Sequence, residues 1–159
     1  MNLEMKVGDV INVKGKSPIS LLIRLFTQSK YSHTACYVGD SQCIESSWGG
    51  VQLRNIDDYK NYDIFRHKSA TKEQLEISTQ WMISQIGSKY DYLGLLGIAK
   101  SIILKDKDNE LDDKNRYWCS ELVADGYHKS FITTDMCLFT CMTSPEDFAK
   151  SKWFYKVEK

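Results

Sequence analysis

The segment 116–123, Arg-Tyr-Trp-Cys-Ser-Glu-Leu-Val, places one cysteine, Cys119, where a helix with an apolar face begins. At a helix start, the unpaired backbone N–H groups and the positive end of the helix dipole favour a thiolate over a thiol. Cys119 is therefore a candidate nucleophile, and such a nucleophile requires a base in contact with it. The fold must bring this helix start to a histidine that lies elsewhere in the chain.

The chain contains three histidines, and geometry ranks them as candidates for that base. His128 lies nine positions after Cys119 on the same predicted helix, which at about 100° per residue places it on the opposite face. His67 ends a predicted strand between two basic residues, a position typical of a solvated surface histidine. His33 lies on the β-prone segment 31–38 and is the predicted base.

Glu45 is the predicted partner of the His33 ring. A three-residue loop, 39–41, between the strand of His33 and the strand of Glu45 would place Glu45 opposite Ala35. Glu45 then lies on the same face as His33, one diagonal step away. A carboxylate in that position orients the imidazole and stabilises its charged form. The alternative is that Glu45 is a solvated strand residue.

The hydrophobic pattern predicts strands in the first half of the chain and helices after it, within one domain over residues 1–159. A short amphipathic helix at 19–26 carries Arg24 on its wet side, and a charged, mobile loop at 105–116 precedes the nucleophile. These elements predict an α+β fold, in which an antiparallel sheet packs against the helix that carries Cys119 at its N-terminus. The predicted strands are 7–13, 31–38, 42–46, 51–54, 62–67 and 153–157, and the other helices are 70–86, 118–130 and a short one that begins at Pro145.

The composition excludes several classes of partner. With 21 basic and 21 acidic residues the formal charge is zero, so no global field attracts nucleic acid or an anionic membrane. The longest apolar stretch, 93–104, contains Lys100 and is too short to span a bilayer, so no transmembrane segment is predicted. The N-terminus lacks the apolar core of a signal peptide. This predicts a cytoplasmic protein, with a phage-encoded protein or release to the cell wall by another route as alternatives.

Cysteine usage predicts mostly reduced thiols, no metal site and no other cofactor. The number of cysteines is odd, and the pair at 137 and 141 lacks the second pair of ligands that a zinc site needs. Buried, reduced thiols are typical of a reducing compartment. The cysteines are Cys36, Cys43, Cys119, Cys137 and Cys141.

Five motifs occur in order along the chain: Gly8-Asp9, Ser32-His33-Thr34, Ile44-Glu45-Ser46, Gly87-Ser88-Lys89-Tyr90-Asp91 and Tyr117-Trp118-Cys119-Ser120-Glu121-Leu122-Val123. Together they resemble the circularly permuted papain-like proteins of the YiiX type, in the NlpC-like cell-wall peptidase superfamily. Ordinary papain-like enzymes have the cysteine before the histidine, whereas here His33 precedes Cys119, as in the permuted order. The resemblance extends from Gly8 to the helix start at 144–147.

The resemblance implies a permuted papain-like (NlpC-like) fold and a cysteine peptidase or amidase that cleaves an amide bond, most simply in a murein-type peptide. Cys119, His33 and Glu45 would act as its catalytic triad through an acyl-enzyme. No cofactor takes part in this chemistry. The substrate would be a peptide or another acyl compound.

Three aromatic residues are the expected contacts of the reacting group. Tyr90 is similar in position to a tyrosine that precedes the nucleophile in related peptidases, and it is the expected second donor to the oxyanion beside the Cys119 backbone N–H. Tyr117 competes with Tyr90 for that role, and Tyr90 has simple packing as its alternative. Trp48, after Glu45, is expected to form a wall of the substrate site.

Two other functions fit the same residues. A thiol acyltransferase or esterase that acts on a lipid or other acyl ester shares the thiol chemistry. The lipid enzymes that this chain resembles carry a histidine where Glu45 stands, and usually a membrane anchor, and both differences count against that function. A non-catalytic binding module on the same fold, with Cys119 as an inert buried thiol, is the other alternative.

Overall fold

The chain forms a six-stranded antiparallel sheet with helices packed on one face. The structure is a computed structural model that describes residues 4–16, 18–26, 28–94, 100, 115–136 and 140–158. The strands of the sheet are β1 Val10–Val13, β2 His33–Gly39, β3 Gln42–Ser47, β4 Gly50–Asn55, β5 Tyr62–His67 and β8 Phe154–Lys156. They lie in the order β4-β3-β2-β1-β5-β8. The short strands β6 Lys89–Tyr90 and β7 Arg116–Tyr117 pair in parallel beside it.

Helices lie between and after these strands. They include α1 Pro18–Phe26, α2 Lys72–Ser84, α3 Cys119–Lys129 and α4 Pro145–Lys150, with 3-10 turns at Ile56–Asp58 and Thr140–Met142. The α+β prediction is therefore confirmed, and most predicted elements differ from the observed ones only at their ends. The predicted loop at 105–116 lies outside the described residues as far as position 114.

Capping interactions determine where the helices begin. Thr71 and Gln74 form a reciprocal capping box at α2, with N–H to side-chain oxygen distances of 3.0 and 3.2 Å. At α3 the Trp118 backbone N–H donates to Glu121 Oε2 at 3.4 Å. This contact fixes the start of α3, so Cys119 is the first residue of the helix, as predicted.

The hairpin between β2 and β3 reaches the predicted register by a different route. Asp40 and Ser41 form a two-residue turn in which both have positive φ, 49° and 57°, as a tight hairpin turn requires. The predicted three-residue loop is therefore wrong. The extra residue appears instead as an irregularity in β2 between Tyr37 and Gly39, so Glu45 still pairs with Ala35.

Alternating side chains give the sheet two buried faces. One face packs against α2 and α3 through Val10, Cys36, Ile44, Phe65, Met82, Leu122, Val123 and Tyr127. The other carries Ile11, Ala35, Cys43 and Ile64, packed against Ile56 and Tyr59. The candidate residues His33 and Glu45 share this second face with Ala35, because side chains two positions apart point the same way.

Helix α1 exposes two of its apolar side chains to solvent. Leu21 and Leu25 are 52% and 70% exposed, whereas Arg24 is half-buried and its Nε has no hydrogen-bond partner among the described residues. The prediction that Arg24 faces water is wrong. The prediction assumed that the most polar side chain of an amphipathic helix faces solvent. In the structure, α1 instead buries part of Arg24 and leaves Leu21 and Leu25 exposed.

His67 is also placed differently from its prediction as a solvated residue. It is 7% exposed, and its ring stacks on Trp153 with centroids 6.1 Å apart. Nε2 lies 2.8 Å from the Thr133 carbonyl oxygen, and Nδ1 accepts the backbone N–H groups of Ser69 and Ala70. These contacts require the neutral ring, and burial lowers the pKa of His67 despite the bond to Thr133.

We predict that His67 makes the fold sensitive to acid. Its pKa is lowered in the folded state, so the stabilisation is complete above the ordinary value of 6.5 and is lost as the pH falls below it. His67→Gln should lower the free energy of unfolding by about 1–3 kcal/mol at neutral pH and flatten its pH dependence. Urea unfolding at a series of pH values above and below 6.5 measures the free energy of unfolding and its pH dependence. The exposed His128→Gln is the control and should leave the free energy of unfolding at neutral pH nearly unchanged. An unaltered pH dependence in His67→Gln would contradict the prediction.

Candidate active site

The sheet opens between β2 and β3, and this opening creates the candidate site. Strand β2 pairs with β1 as far as His33, but its pairing with β3 ends at Ala35 and Glu45. Strand β3 continues alongside β4 to Ser47. Beyond the split, the Ser46 hydroxyl donates to the Tyr117 carbonyl oxygen at 2.5 Å, which ties β7 and the start of α3 to the opening.

The thiol of Cys119 meets His33 at this opening. Cys119 is 6% exposed. The His33 ring and the backbone N–H groups of Thr34 and Ser120 are close enough to its sulfur to lower the pKa of the thiol. The Thr34 amide is available to the sulfur because β3 has diverged at this point. The predicted convergence of His33 and Cys119, which are far apart in sequence, is therefore observed.

Glu45 holds the other side of the His33 ring. Its side chain is 2% exposed, and Oε2 lies 2.6 Å from His33 Nε2. Since Glu45 occupies Nε2, Nδ1 is the ring nitrogen left for the thiol. The remaining donors to the Glu45 carboxylate are Tyr59 Oη at 2.5 Å, Arg54 Nε at 2.7 Å and Gln52 Nε2 at 3.2 Å.

These contacts shift three pKa values in the directions that a thiolate–imidazolium pair requires. Burial opposes ionisation of Cys119, but hydrogen bonding and charge attraction to His33 prevail and lower the thiol pKa. Burial likewise disfavours the His33 cation, yet Cys119 and Glu45 raise its pKa to about 10. The pKa of Glu45 is lowered because His33, Tyr59 and Arg54 outweigh its burial.

Three aromatic rings stand beside the pair. Tyr90 packs against the small cluster of Trp118 and Cys119. Trp48, 66% exposed, stacks on Tyr90 with centroids 6.4 Å apart, and Tyr92 donates its hydroxyl to the Trp48 carbonyl oxygen at 3.0 Å. These three rings, together with His33 and residues of α1, line a cavity of about 340 Å³.

Tyr117 faces away from this cavity. Its hydroxyl donates to Gln85 Oε1 at 3.3 Å, and its ring packs edge-on against Trp81. Tyr117 belongs to the core on the helix side of the sheet, whereas Tyr90 contacts Cys119. Tyr90 is therefore the better placed of the two predicted oxyanion donors, because the Tyr117 hydroxyl is bonded to Gln85 and Tyr117 does not line the cavity.

Sequence reasoning missed the three residues that support Glu45. Gln52 and Arg54 alternate on β4, and Gln52 pairs directly with Glu45, so the strand pattern contained a signal for both. Tyr59 follows a 3-10 turn, and no periodicity marks its contact with a carboxylate 14 positions earlier.

The remaining described cysteines differ from Cys119 in environment. Burial raises the pKa of Cys36, and burial raises that of Cys43 to about 12. Cys141 is half-buried and packs against the Trp118–Cys119 cluster. Cys137 lies outside the described residues.

Sequence comparison identifies the family. Residues 4–157 match the model of the permuted papain-like amidase enzymes of the YaeF/YiiX, C92 family. The chain belongs to this family. It is therefore related to papain-like peptidases and amidases, which are hydrolases, and the recognition made from the five motifs is confirmed.

Two relatives of this YaeF/YiiX family member agree with the assignment. The curated protein named "Probable lipoprotein peptidase YaeF" from Escherichia coli K12 is 23% identical over 80% of this chain, which spans 57% of the length of that relative. The crystal structure of the metalloprotein YiiX from Escherichia coli O157:H7 superposes with a TM-score of 0.70 at 19% identity and covers 97% of both chains. That likeness shows a shared permuted papain-like fold.

Two structural features bear on metals and membranes. Within the described ranges, no three His, Cys, Asp or Glu side chains are grouped so that they could hold a metal ion. The described residues therefore do not fit a metal centre. Among the helices that the structure describes, none has the length and apolar character needed to cross a bilayer.

We predict that Cys119 is the most reactive thiol of the protein. At neutral pH a limiting amount of iodoacetamide should alkylate it at least tenfold faster than the others, because thiolate is the attacking form. Peptide mass mapping measures the labelling of each cysteine. His33→Ala should remove most of the difference, since the imidazolium holds the thiolate. Equal labelling of all cysteines, or earliest labelling of Cys137, would refute this prediction.

Proposed function

We propose that the protein is a thiol amidase, or cysteine peptidase, that acts through Cys119, His33 and Glu45. The observation that carries the proposal is the succession of Cys119, His33 and Glu45: the His33 ring is 2.6 Å from the Glu45 carboxylate, and the thiol and the ring shift each other's pKa. A nucleophile, a base and an orienting acid in contact are the parts that covalent amide hydrolysis requires.

The proposed reaction proceeds through an acyl-enzyme. The Cys119 thiolate attacks the amide carbonyl carbon, and a carbon–sulfur bond forms as the carbonyl becomes an oxyanion. The His33 imidazolium then protonates the leaving nitrogen as the carbon–nitrogen bond breaks. His33 next removes a proton from water, which attacks the thioester and releases the acid and the thiolate.

The Cys119 backbone N–H and the Tyr90 hydroxyl are the proposed donors to the oxyanion. The first residue of a helix has an unpaired N–H, which is a favourable donor to a developing negative charge. Tyr90 supports the second assignment because it contacts the Trp118–Cys119 cluster and lines the cavity. Trp48 stacks on Tyr90 and forms the wall of the proposed substrate site.

A murein-type peptide is the proposed substrate class. The cavity combines the aromatic wall with hydroxyl groups of Ser20, Ser32 and Ser47, which suits a polar amide chain that also has aliphatic surface. The relative named as a probable lipoprotein peptidase supports a peptide as the substrate.

One observation favours a second candidate, an acyl ester or lipid amide as substrate. Leu21 and Leu25 of α1 are exposed, and α1 also contributes Ser20 and Ile23 to the cavity. Trp48 is equally exposed on another wall. Apolar side chains beside a cavity suit an acyl chain. Turnover of a long-chain acyl ester in preference to a murein peptide would favour this candidate.

Variants of the proposed triad should lose activity in a defined order. Cys119→Ala and His33→Ala should abolish turnover of a murein peptide or an activated ester, and Glu45→Gln should reduce kcat by about 10²–10⁴-fold. Glu45→Gln should also lower the free energy of unfolding by about 1–3 kcal/mol, because an amide N–H₂ would face buried donors. The exposed substitution Glu76→Gln is the matched control. Full activity in Glu45→Gln with an inactive His33→Ala would exclude Glu45 as the orienting residue.

The proposed ion pair also predicts a bell-shaped pH profile. As the pH falls, the thiolate takes up a proton and activity declines. As the pH rises towards about 10, His33 loses the proton that the leaving group needs, so activity declines again. Measuring kcat/KM against pH tests both limbs. An alkaline limb near the ordinary histidine pKa of 6.5 would mean that His33 lacks the proposed partners.

Tyr90→Phe separates oxyanion stabilisation from packing. The ring and its stacking on Trp48 remain, so the fold and substrate binding should be nearly unchanged. Loss of the hydroxyl donor should lower kcat by about 10²-fold with little change in KM. Tyr117→Phe is the control, because its hydroxyl faces Gln85, and it should retain kcat. Equal effects of the two substitutions would contradict the role of Tyr90.

A further inference from the structure

Arg54 contacts the candidate site through only one of its three side-chain nitrogens. It lies on the same face of the sheet as Glu45, and its Nε donates to Glu45 Oε1 at 2.7 Å. The Glu45 carboxylate already receives His33, Tyr59 and Gln52. An arginine that serves only to neutralise a carboxylate usually grips it with two parallel N–H bonds. Arg54 instead bonds Glu45 through Nε, the nitrogen nearest its aliphatic stem.

The two terminal nitrogens of Arg54 have little else to bind. Nη1 forms a long ion pair of 3.9 Å with Asp58 Oδ2, which is beyond hydrogen-bond range, and the Asp58 side chain is 56% exposed, so water weakens this pair. Within the described part of the chain, neither terminal nitrogen of Arg54 donates a hydrogen bond. The Arg54 side chain is 39% exposed and lines the cavity with His33 and the aromatic wall.

Few charged side chains line the cavity beside Arg54. The charged or titratable side chains among its lining residues, apart from the tyrosines, are His33, Glu45 and Arg54. In the active ion-pair state, Glu45 is balanced by the His33 cation at 2.6 Å. Formation of the acyl-enzyme removes the negative charge of Cys119 and also the positive charge of His33, which has protonated the leaving nitrogen, so the net charge of these groups stays at zero. What Arg54 offers an incoming anion is therefore geometric: Nε is used by Glu45, while the two terminal nitrogens can each donate a charge-assisted hydrogen bond.

We infer that Arg54 binds a carboxylate of the substrate, so that the amide cleaved belongs to an acidic peptide or acyl amino acid. This inference rests on the proposed thiol amidase function. A planar carboxylate matches the two terminal nitrogens of a guanidinium in a bidentate contact. The bond from Nε to Glu45 holds the guanidinium in place, so little rotational freedom remains to be lost when the ligand binds.

Matched alkylating probes test the inference even while the natural substrate is unidentified. The probes are N-bromoacetyl derivatives of glycine, β-alanine and γ-aminobutyrate, each compared with its neutral carboxamide. The Cys119 thiolate displaces bromide, a carbon–sulfur bond forms, and the carboxylate lies at a different distance in each probe. Saturation kinetics separate the binding constant KI from the rate constant kinact, and mass mapping confirms which cysteine reacts.

Wild type should bind the best carboxylate at least tenfold more tightly than its carboxamide. In Arg54→Gln this ratio should fall to about one, and Arg54→Lys should retain part of it as a point charge. The carboxamide serves as the internal reference, because a disturbance of Glu45 and His33 affects both probes alike. Lys16→Gln removes an exposed positive charge next to Gly15, which also lines the cavity, and should leave the ratio unchanged.

The outcomes separate this inference from the proposed function. Equal KI values in wild type, an unchanged ratio in Arg54→Gln, or an equal loss in Lys16→Gln would overturn the role of Arg54 while Cys119 still reacts selectively. If no probe alkylates Cys119 ahead of the other cysteines, the proposed thiol function fails, and the inference fails with it.

Discussion

The buried negative charge of Glu45 is the feature on which the rest of the site depends. A carboxylate removed from water costs several kcal/mol unless donors surround it. Glu45 meets that requirement with the His33 ring, the Tyr59 hydroxyl, the Arg54 guanidinium and the Gln52 amide. These donors come from three separate segments of the chain. The same charge therefore orients the histidine and holds β2, β4 and the turn before Tyr59 together.

The opening of the sheet has an equally direct chemical consequence. A backbone N–H in the middle of a sheet is normally used by the neighbouring strand. Because β3 leaves β2 after Glu45, the Thr34 amide instead helps to lower the pKa of the Cys119 thiol. The Ser46 hydroxyl fastens the α3 segment into the gap that β3 leaves. One local departure from regular pairing thus supplies both a donor for the thiolate and the space that the helix start occupies.

The sequence predicted those parts of the molecule that depend on local pattern. Strand alternation predicted both ends of β5, and helix-start chemistry placed Cys119 at the start of α3. The pairing of Glu45 with Ala35 was predicted from a three-residue loop, whereas the structure reaches it with a two-residue turn and an irregularity in β2. The predictions that were wrong depend on tertiary contacts. His67 is buried by stacking on Trp153, a contact 86 positions away that no strand pattern encodes. The order of His33 and Cys119 predicted the permuted arrangement, because order is a property of the chain itself.

The supporting contacts of the site are less predictable than its reacting groups for a physical reason. A nucleophile and its base need particular side-chain types, which restricts them to few positions in the sequence. A buried carboxylate accepts any donor of suitable geometry, so Tyr59, Arg54 and Gln52 could be replaced by many other combinations. Their arrangement nevertheless has a directional effect. Glu45 occupies Nε2 and prevents the His33 ring from turning, so Nδ1 stays on the side of the thiol. In the proposed mechanism, the proton of Cys119 then has one acceptor, and the charge formed on the ring is balanced at the opposite nitrogen.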